Sequence, residues 1–157
     1  MGIRPPTWPT DWVVHDDAAG FSLCKPRHWR VQVGHAGEIA VVEPDGQAAA
    51  LVRPRRLPVQ ADLAVWLQQQ YAATEPGLHG VRLWRIESRA PRVVCAAFDY
   101  GSRVFQGCAR VVAVRSDEGV TLFVGAASRE QFVRRWPELA RILDSVHHHP
   151  PHPANAG

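Results

Sequence analysis

The stretch Gly20-Phe21-Ser22-Leu23-Cys24-Lys25-Pro26-Arg27-His28-Trp29, continued by Arg30-Val31-Gln32-Val33-Gly34, decides how this chain is read. Phe21 and Leu23 alternate with Ser22 and Cys24, the period of two that marks a strand. Pro26 carries no backbone donor and ends that strand. Trp29, Val31 and Val33 then alternate with Arg30 and Gln32, which describes a second, half-buried strand running to Gly34. Two short strands broken by a proline step make the opening of the chain a sheet.

Working outward, Trp12 to His15 forms an earlier strand, joined through the turn Asp16-Asp17-Ala18-Ala19-Gly20. Ahead of it, Pro5, Pro6 and Pro9 make residues 1–11 an extended, loosely held arm, with Trp8 and Trp12 as its anchors. Downstream, Gly34-His35-Ala36-Gly37 is a turn. Ile39 to Glu43 and Ala48 to Arg53 then flank Pro44-Asp45-Gly46-Gln47, whose Pro and Asp-Gly chemistry predicts a tight hairpin.

Arg53-Pro54-Arg55-Arg56-Leu57-Pro58 reads as an exposed basic bridge. Asp62 caps a helix in which Leu63, Trp66, Leu67 and Tyr71 recur at helical spacing, and which ends before Pro76-Gly77. Four further strands follow, over Val81–Glu87, Arg92–Tyr100, Arg103–Arg115 and Val120–Ala127, in the order of an antiparallel meander. Gly101-Ser102 has the composition of a two-residue type II′ turn, since glycine tolerates positive φ at the first position. That turn sets Tyr100 opposite Arg103 and, counting outward, Cys95 opposite Cys108 as reduced neighbours on one face.

Ser128 and Gln131 form a capping box that opens a C-terminal helix with Phe132, Trp136, Leu139, Ile142 and Leu143 on its apolar side. Pro137 predicts a kink there, or a second helix starting at that residue. The ordered domain spans residues 12–146 and closes near Ser145. The segment 147–157, HHHPPHPANAG, has no core pattern and is expected to be disordered.

With 157 residues, 46% of them apolar and 21% charged, the chain is long enough to bury the core of one domain. No run approaches the roughly 20 apolar residues that cross a bilayer, and MGIRPPTWPTDW lacks the apolar stretch of a secretory signal, which together point to the cytoplasm without membrane insertion. Three cysteines, Cys24, Cys95 and Cys108, are too few and too irregular for a disulfide scaffold. The net charge of +3 is carried almost wholly by arginine, Lys25 being the one lysine.

No catalytic constellation emerges. A cysteine nucleophile needs a histidine and an orienting carboxylate or amide, and Cys24, in an alternating strand near His15 and His28, reads as a packing residue. Neither a serine elbow nor a glycine-rich phosphate loop is present, and the adjacent Asp16 and Asp17 point apart on a strand or turn. His147, His148, His149 and His152 have ligating chemistry, but a proline-rich tail offers no fixed second shell, so no metal and no cofactor are expected. His15, His28, His35 and His79 fall singly near turns.

The segment Gly20-Phe21-Ser22-Leu23 with Lys25-Pro26-x-x-Trp29 resembles the opening G-F-S-x-x-x-P-x-x-W of the PsbP-like superfamily, which includes PsbP itself, the Ran-binding release factor, DcrB-type proteins and Eag chaperones. The helix from Asp62 to Tyr71, the long antiparallel strands and the terminal Ile142-Leu143-Asp144-Ser145 extend the resemblance over residues 12–146. It implies an α+β fold, a twisted antiparallel β-sheet packed by helices, serving as a non-catalytic platform for a protein partner.

An accessory or adaptor protein is therefore expected. Trp8, Trp12, Arg55, Arg56 and Trp84 are its expected partner contacts, because interface hot spots favour tryptophan and arginine. Two alternatives use other residues. Arg53, Arg55, Arg56, Arg82, Arg85, Arg89, Arg92, Arg103, Arg110 and Arg115 form a stripe across the outer sheet face in a nucleic-acid-binding reading. Trp66, Trp84 and Trp136 line a cleft between sheet and helix in a small-ligand reading.

Overall fold

The structure is a computed structural model that describes residues 11–57, 61–72, 79–101, 106–117 and 119–148, with 71, 72, 79–86 and 106 described by their backbone alone. Ten strands and two helices are described: β1 Trp12–Asp17, β2 Phe21–Pro26, β3 Arg30–Val33, β4 Ile39–Val42, β5 Ala48–Arg55, α1 Leu63–Ala72, β6 His79–Ala90, β7 Val93–Gly101, β8 Gln106–Ser116, β9 Gly119–Ser128, α2 Phe132–Asp144 and β10 His147–His148. A seven-stranded sheet runs β3-β4-β5-β9-β8-β7-β6, and a small sheet runs β1-β2-β10. Every pairing is antiparallel. The expected α+β architecture is present, with β6 to β9 as the meander.

The large sheet is covered differently on its two faces. Alternate residues of β7, β8 and β9 (Val94, Ala96 and Phe98; Ala109, Val111 and Ala113; Val120, Leu122 and Val124) pack against Leu63 and Leu67 of α1. On the opposite face Val41, Ala48, Ala50 and Val52 meet Phe132, Leu139, Ile142 and Leu143 of α2, with Phe21 and Leu23 of the small sheet completing the layer. Leu67, Leu139 and Ile142 have no exposed surface, and each such side chain contributes roughly 1.5–3 kcal/mol by leaving water.

Local chemistry explains the element ends. Asp62 caps α1 through its carboxylate, which accepts from the Val65 amide at 3.0 Å. The β4–β5 hairpin closes with the Gly46 amide on the Glu43 carbonyl at 2.9 Å and the Gln47 amide on the Asp45 carboxylate at 3.0 Å, and Gly46 adopts φ +72°, which glycine reaches at little cost. Lys25 is buried, and its ammonium donates to the carbonyls of Trp29 (2.7 Å), Arg27 (3.2 Å) and Pro26 (3.3 Å). That ammonium fastens the proline step between β2 and β3. Ser145 performs a similar task at the other end of the domain: its Oγ accepts from the Cys24 amide at 2.8 Å and donates to the Ile142 carbonyl at 2.6 Å, stitching the end of α2 to β2. Lys25, Pro26 and Trp29, like the terminal Ile-Leu-Asp-Ser, are thus joints of the fold.

Four expectations are corrected. β7 and β8 do not meet through a two-residue turn at Gly101-Ser102, because Gly101 pairs with Gln106 and four residues, 102–105, lie between them. Cys95 consequently faces Val112 and Cys108 faces Asp99, which separates the two cysteines by four positions, about 14 Å at ~3.4 Å per residue. The displacement is even, so every side chain keeps its face. Apolar alternation therefore cannot distinguish the two registers, and only the turn could.

The second correction concerns the start of α2. The Ser128 carbonyl accepts from the Gln131 amide at 3.0 Å in a turn, and the helix begins after Gln131 with no side-chain cap. Third, of the two alternatives for Pro137, a separate helix starting there is overturned, because Pro137 lies inside one continuous helix. The amide it lacks would have bonded Val133, which is 86% exposed, so water can satisfy the released carbonyl. Fourth, the pairing continues past Ser145, with His147 opposite Ser22 and His148 opposite Phe21. The Ser145 joint delivers the chain along the edge of β2, where backbone pairing needs no apolar pattern. The rest of the expected tail, from residue 149, lies outside the described residues, as do residues 1–10 of the expected arm.

Candidate functional site

On the face that carries α2, register aligns side chains into rows that cross the sheet. One row runs Val41, Ala50, Gly125, Arg110, Ala97, and a second runs Ile39, Val52, Phe123, Val112, Cys95. α2 lies on the β5–β9 end of these rows. Gly125 decides how close it comes: a Cβ there would stand 2.7 Å from Cζ3 of Trp136 and 3.3 Å from Cβ of Leu139. The missing side chain lets the indole lie on the β9 backbone, the close approach for which a glycine in mid-strand is suited. Phe132 stacks on Trp136 with centroids 5.8 Å apart, and the Arg110 guanidinium lies 4.9 Å from the Trp136 centroid and 5.7 Å from that of Phe132.

Past this stack the described residues leave the sheet open. Cys95, Ala97 and Val112 floor a groove of about 250 Å³ whose sides are Trp136, Arg110, Glu87 and Arg89. Its floor is apolar and small, and its rim carries both signs of charge. In the row beside Ala97 and Arg110, outside the groove lining, Cys108 faces Asp99 and its thiol donates to Asp99 Oδ1 at 3.1 Å. Burial, and then the Asp99 carboxylate, push that thiol up to about 11, away from the thiolate form a nucleophile requires. Cys24 is buried and its thiol is likewise raised by burial. His15 bonds Asp17 at 2.9 Å but faces Leu23 across the ladder while Cys24 faces Val14, so histidine and thiol stand on opposite sides of the small sheet.

A second depression, of about 420 Å³, lies between Trp12, the β2–β3 step, the β4–β5 turn and the outer side of α2. Glu43 forms part of its wall and is only 8% exposed. Arg135 donates to its Oε1, whereas its buried Oε2 has no hydrogen-bond partner among the described residues. Burial raises this carboxyl above its ordinary range, Arg135 opposes the rise, and the Asp45 and Glu138 carboxylates add to it.

The residues expected to bind a partner are dispersed. Trp8 lies outside the described residues. Trp12 is half-buried in the second depression with Arg141 over its ring at 5.6 Å. Arg55 is half-buried and bonds Glu38 and the Pro54 carbonyl, and Arg56 is exposed. Trp84 falls on β6 at a register irregularity between Leu83 and Arg85.

The arginines do not make one stripe. In the rows, Arg53 and Arg115 belong to the α1 face and Arg110 to the α2 face. Arg115 bonds the Ala61 carbonyl at 2.6 Å, and Arg92 pairs with Asp117 at 3.3 Å. Arg103 lies outside the described residues. Trp66 packs on the α1 side and Trp136 on the α2 side, so no single cleft is lined by both. The Gly125–Trp136–Arg110 stack escaped sequence reasoning. Its available signal was a lone glycine in the apolar run Leu122-Phe123-Val124-Gly125-Ala126.

Helix, sheet and small sheet together define an antiparallel α+β domain of PsbP-like fold. The chain is similar in structure to PsbP (CyanoP) from Synechocystis sp. PCC 6803, with a TM-score of 0.57 at 13% identity over 95% of this chain and 99% of that one. Weaker likenesses are to a protein of Bacteroides thetaiotaomicron VPI-5482 (TM-score 0.49, 10% identity, 89% of this chain and 48% of that one) and to LpqN, involved in cell envelope biogenesis of Mycobacterium tuberculosis (TM-score 0.41, 13% identity, 90% and 80%). No protein-family model and no curated protein matches the chain. Among the described residues no helix is long and apolar enough to cross a membrane.

Proposed function

We propose that this protein is a non-catalytic accessory or adaptor domain that binds another protein through the open strip of sheet beside α2. The observation that carries the reading is the groove over Cys95, Ala97 and Val112, an apolar floor next to a preformed Arg110–Trp136–Phe132 stack. Tryptophan and arginine held rigidly at the edge of a small apolar surface have the make-up of an interface centre. The raised Cys108 and Cys24 thiols and the separation of Cys24 from His15 speak against thiol catalysis. Arg56 and Trp12, with Trp8, Arg55 and Trp84, are proposed as outlying contacts. The three cysteines are unpaired, which fits a cytoplasmic setting.

The test is capture of partners from the native host by wild-type protein and by Arg110→Ala and Val112→Glu, with circular dichroism to confirm folding. The partner is expected to be lost from both variants. Capture that both variants retain, or that nuclease treatment abolishes, refutes the reading.

A further inference from the structure

The strip beside α2 is charged at one end and apolar along the rest. Among the described residues its charges are Glu87 and Arg89 from β6, Asp99 from β7, Arg110 from β8, and Arg129 just past β9, which acts on Cys108 in the Asp99 row. By register Arg85 stands opposite Ala97. Both carboxylates are engaged: Asp99 accepts from the Cys108 thiol, and Glu87 has an interaction of its own. Arg89, Arg110 and Arg129 are exposed and pair with no carboxylate among the described residues.

Arg110 is the one of these held in place. Its guanidinium lies against the rings of Trp136 and Phe132, and Trp136 is seated on Gly125. Ring contact leaves its N–H groups without an acceptor among the described residues. A guanidinium fixed before binding loses little further rotamer freedom, and its fork matches a carboxylate through two parallel hydrogen bonds. From Arg110 the strip turns apolar: the rows Cys95–Val112 and Val93–Val114 follow at two-residue steps, about 6.8 Å each at ~3.4 Å per residue. An extended chain laid along the strands repeats its side chains at that same interval. A nucleic acid fits this arrangement poorly. Arg53 and Arg115 belong to the α1 face, Arg92 is paired with Asp117, and a phosphate backbone on the strip would run past Glu87 and Asp99.

We infer, resting on the adaptor reading, that the partner is a protein presenting an extended acidic–apolar segment to the strip. One aspartate or glutamate carboxylate sits on Arg110, and apolar side chains two and four residues away cover the Cys95–Val112 and Val93–Val114 rows. Arg110 therefore selects the charge of the partner, and the two apolar rows set the spacing of its side chains.

Titration of the full chain with the peptide acetyl-Glu-Ser-Val-Ser-Val-amide, followed by NMR, tests this. Saturable shifts at Cys95, Arg110, Val112 and the Trp136 indole are expected. The peptide with Gln in place of Glu should bind at least about fivefold more weakly, through loss of the charge-assisted pair. The peptide with Ser in place of both valines should weaken by a similar factor, and Val112→Glu should abolish binding. In Arg110→Gln the preference for Glu over Gln should vanish; should that variant fail to fold, Arg110→Lys serves, with the preference reduced because the fork is lost. No saturable shift, equal binding of the Glu and Gln peptides, or an undiminished preference in the Arg110 variant overturns the inference. Tighter binding of a single-stranded RNA at the same residues overturns it in favour of nucleic acid. Peptide binding that fails while partner capture still depends on Arg110 and Val112 sinks the acidic segment and leaves the adaptor reading standing. Peptide binding as expected, with capture indifferent to both residues, supports the acidic preference of the strip and sinks the adaptor reading.

Discussion

Gly125→Ala puts the packing of α2 on the sheet to a quantitative test. The new Cβ would stand 2.7 Å from Cζ3 and 3.3 Å from Cε3 of Trp136, and 3.3 Å from Cβ of Leu139, where carbon atoms settle at about 3.5–4.0 Å. The indole must therefore withdraw by roughly 1 Å, and it has little room. Phe132 stacks on it, Arg110 covers it, and Leu139 is fully buried. Overpacking of this kind costs about 1–3 kcal/mol, while replacing a strand glycine returns about 0.5–1 kcal/mol of backbone entropy. The net loss should be about 1–2 kcal/mol, or ~3–8 °C in Tm for a domain of this size. Urea denaturation measures it as a lower midpoint at unchanged slope. A double-mutant cycle with Trp136→Leu isolates the cause: in that background Gly125→Ala should become neutral or stabilising, a coupling of at least about 1 kcal/mol. Additive effects, or a neutral single substitution, would refute the proposed seating of Trp136.

The remaining predictions concern buried polar groups. Cys108 should alkylate with a pH midpoint near 11, and Asp99→Asn, which removes the negative acceptor 3.1 Å away, should lower that midpoint; a wild-type midpoint at or below 9 contradicts both. Arg135→Met strands the Glu43 carboxylate and should cost about 3–5 kcal/mol at pH 7. A carboxyl whose folded pKa is raised contributes stability that is present below its unfolded pKa, near 4.5, and lost as pH rises through the folded value, so the penalty should shrink toward pH 4 in urea titrations, and a pH-independent penalty refutes the assignment. Lys25→Met leaves the carbonyls of Pro26, Arg27 and Trp29 without their shared donor and should cost about 1–3 kcal/mol; a more stable variant would show that desolvation of the ammonium, which lowers its pKa, outweighs its hydrogen bonds.

What could be read from sequence was whatever short-range chemistry decides. Asp62 announces α1 because a cap acts within one turn. Pro44-Asp45-Gly46-Gln47 announces the β4–β5 hairpin because the Asp45 carboxylate and Gly46 conformation close it locally. The β7–β8 register was hidden because displacements of four residues preserve the face of every side chain. Gly101 looks like a turn former, but nothing in the alternation of β7 opposes a longer connection. Ser128 and Gln131 have capping-box spacing, yet they close a turn one step ahead of the helix. The strip proposed to bind a partner was hidden for another reason: Gly125, Arg110 and Trp136 lie far apart in sequence, and their meeting depends on β8 and β9 pairing in register under α2.

The open strip follows from the layer dimensions, and its composition is what gives it meaning. Seven strands at ~4.8 Å spacing make a sheet about 29 Å wide, whereas one helix with its side chains covers about 10–12 Å. On the α2 face the small sheet extends the cover through Phe21 and Leu23 over the strands around β4 and β5, and the β7–β8 rows are left over. A strip exposed merely because cover ran out should be polar, since an antiparallel sheet with one wet face alternates apolar-in with polar-out. Here the rows pair Val93 with Val114, Cys95 with Val112 and Ala97 with Arg110, and only the last, Asp99 with Cys108, adds a second charge. Those same rows are half-buried to exposed at Val93, Cys95, Val112, Val114 and Arg110. The apolar face that the described residues leave uncovered beside the tryptophan–arginine stack is the surface on which the proposed partner reading rests, and loss of capture on substituting it is what that reading predicts.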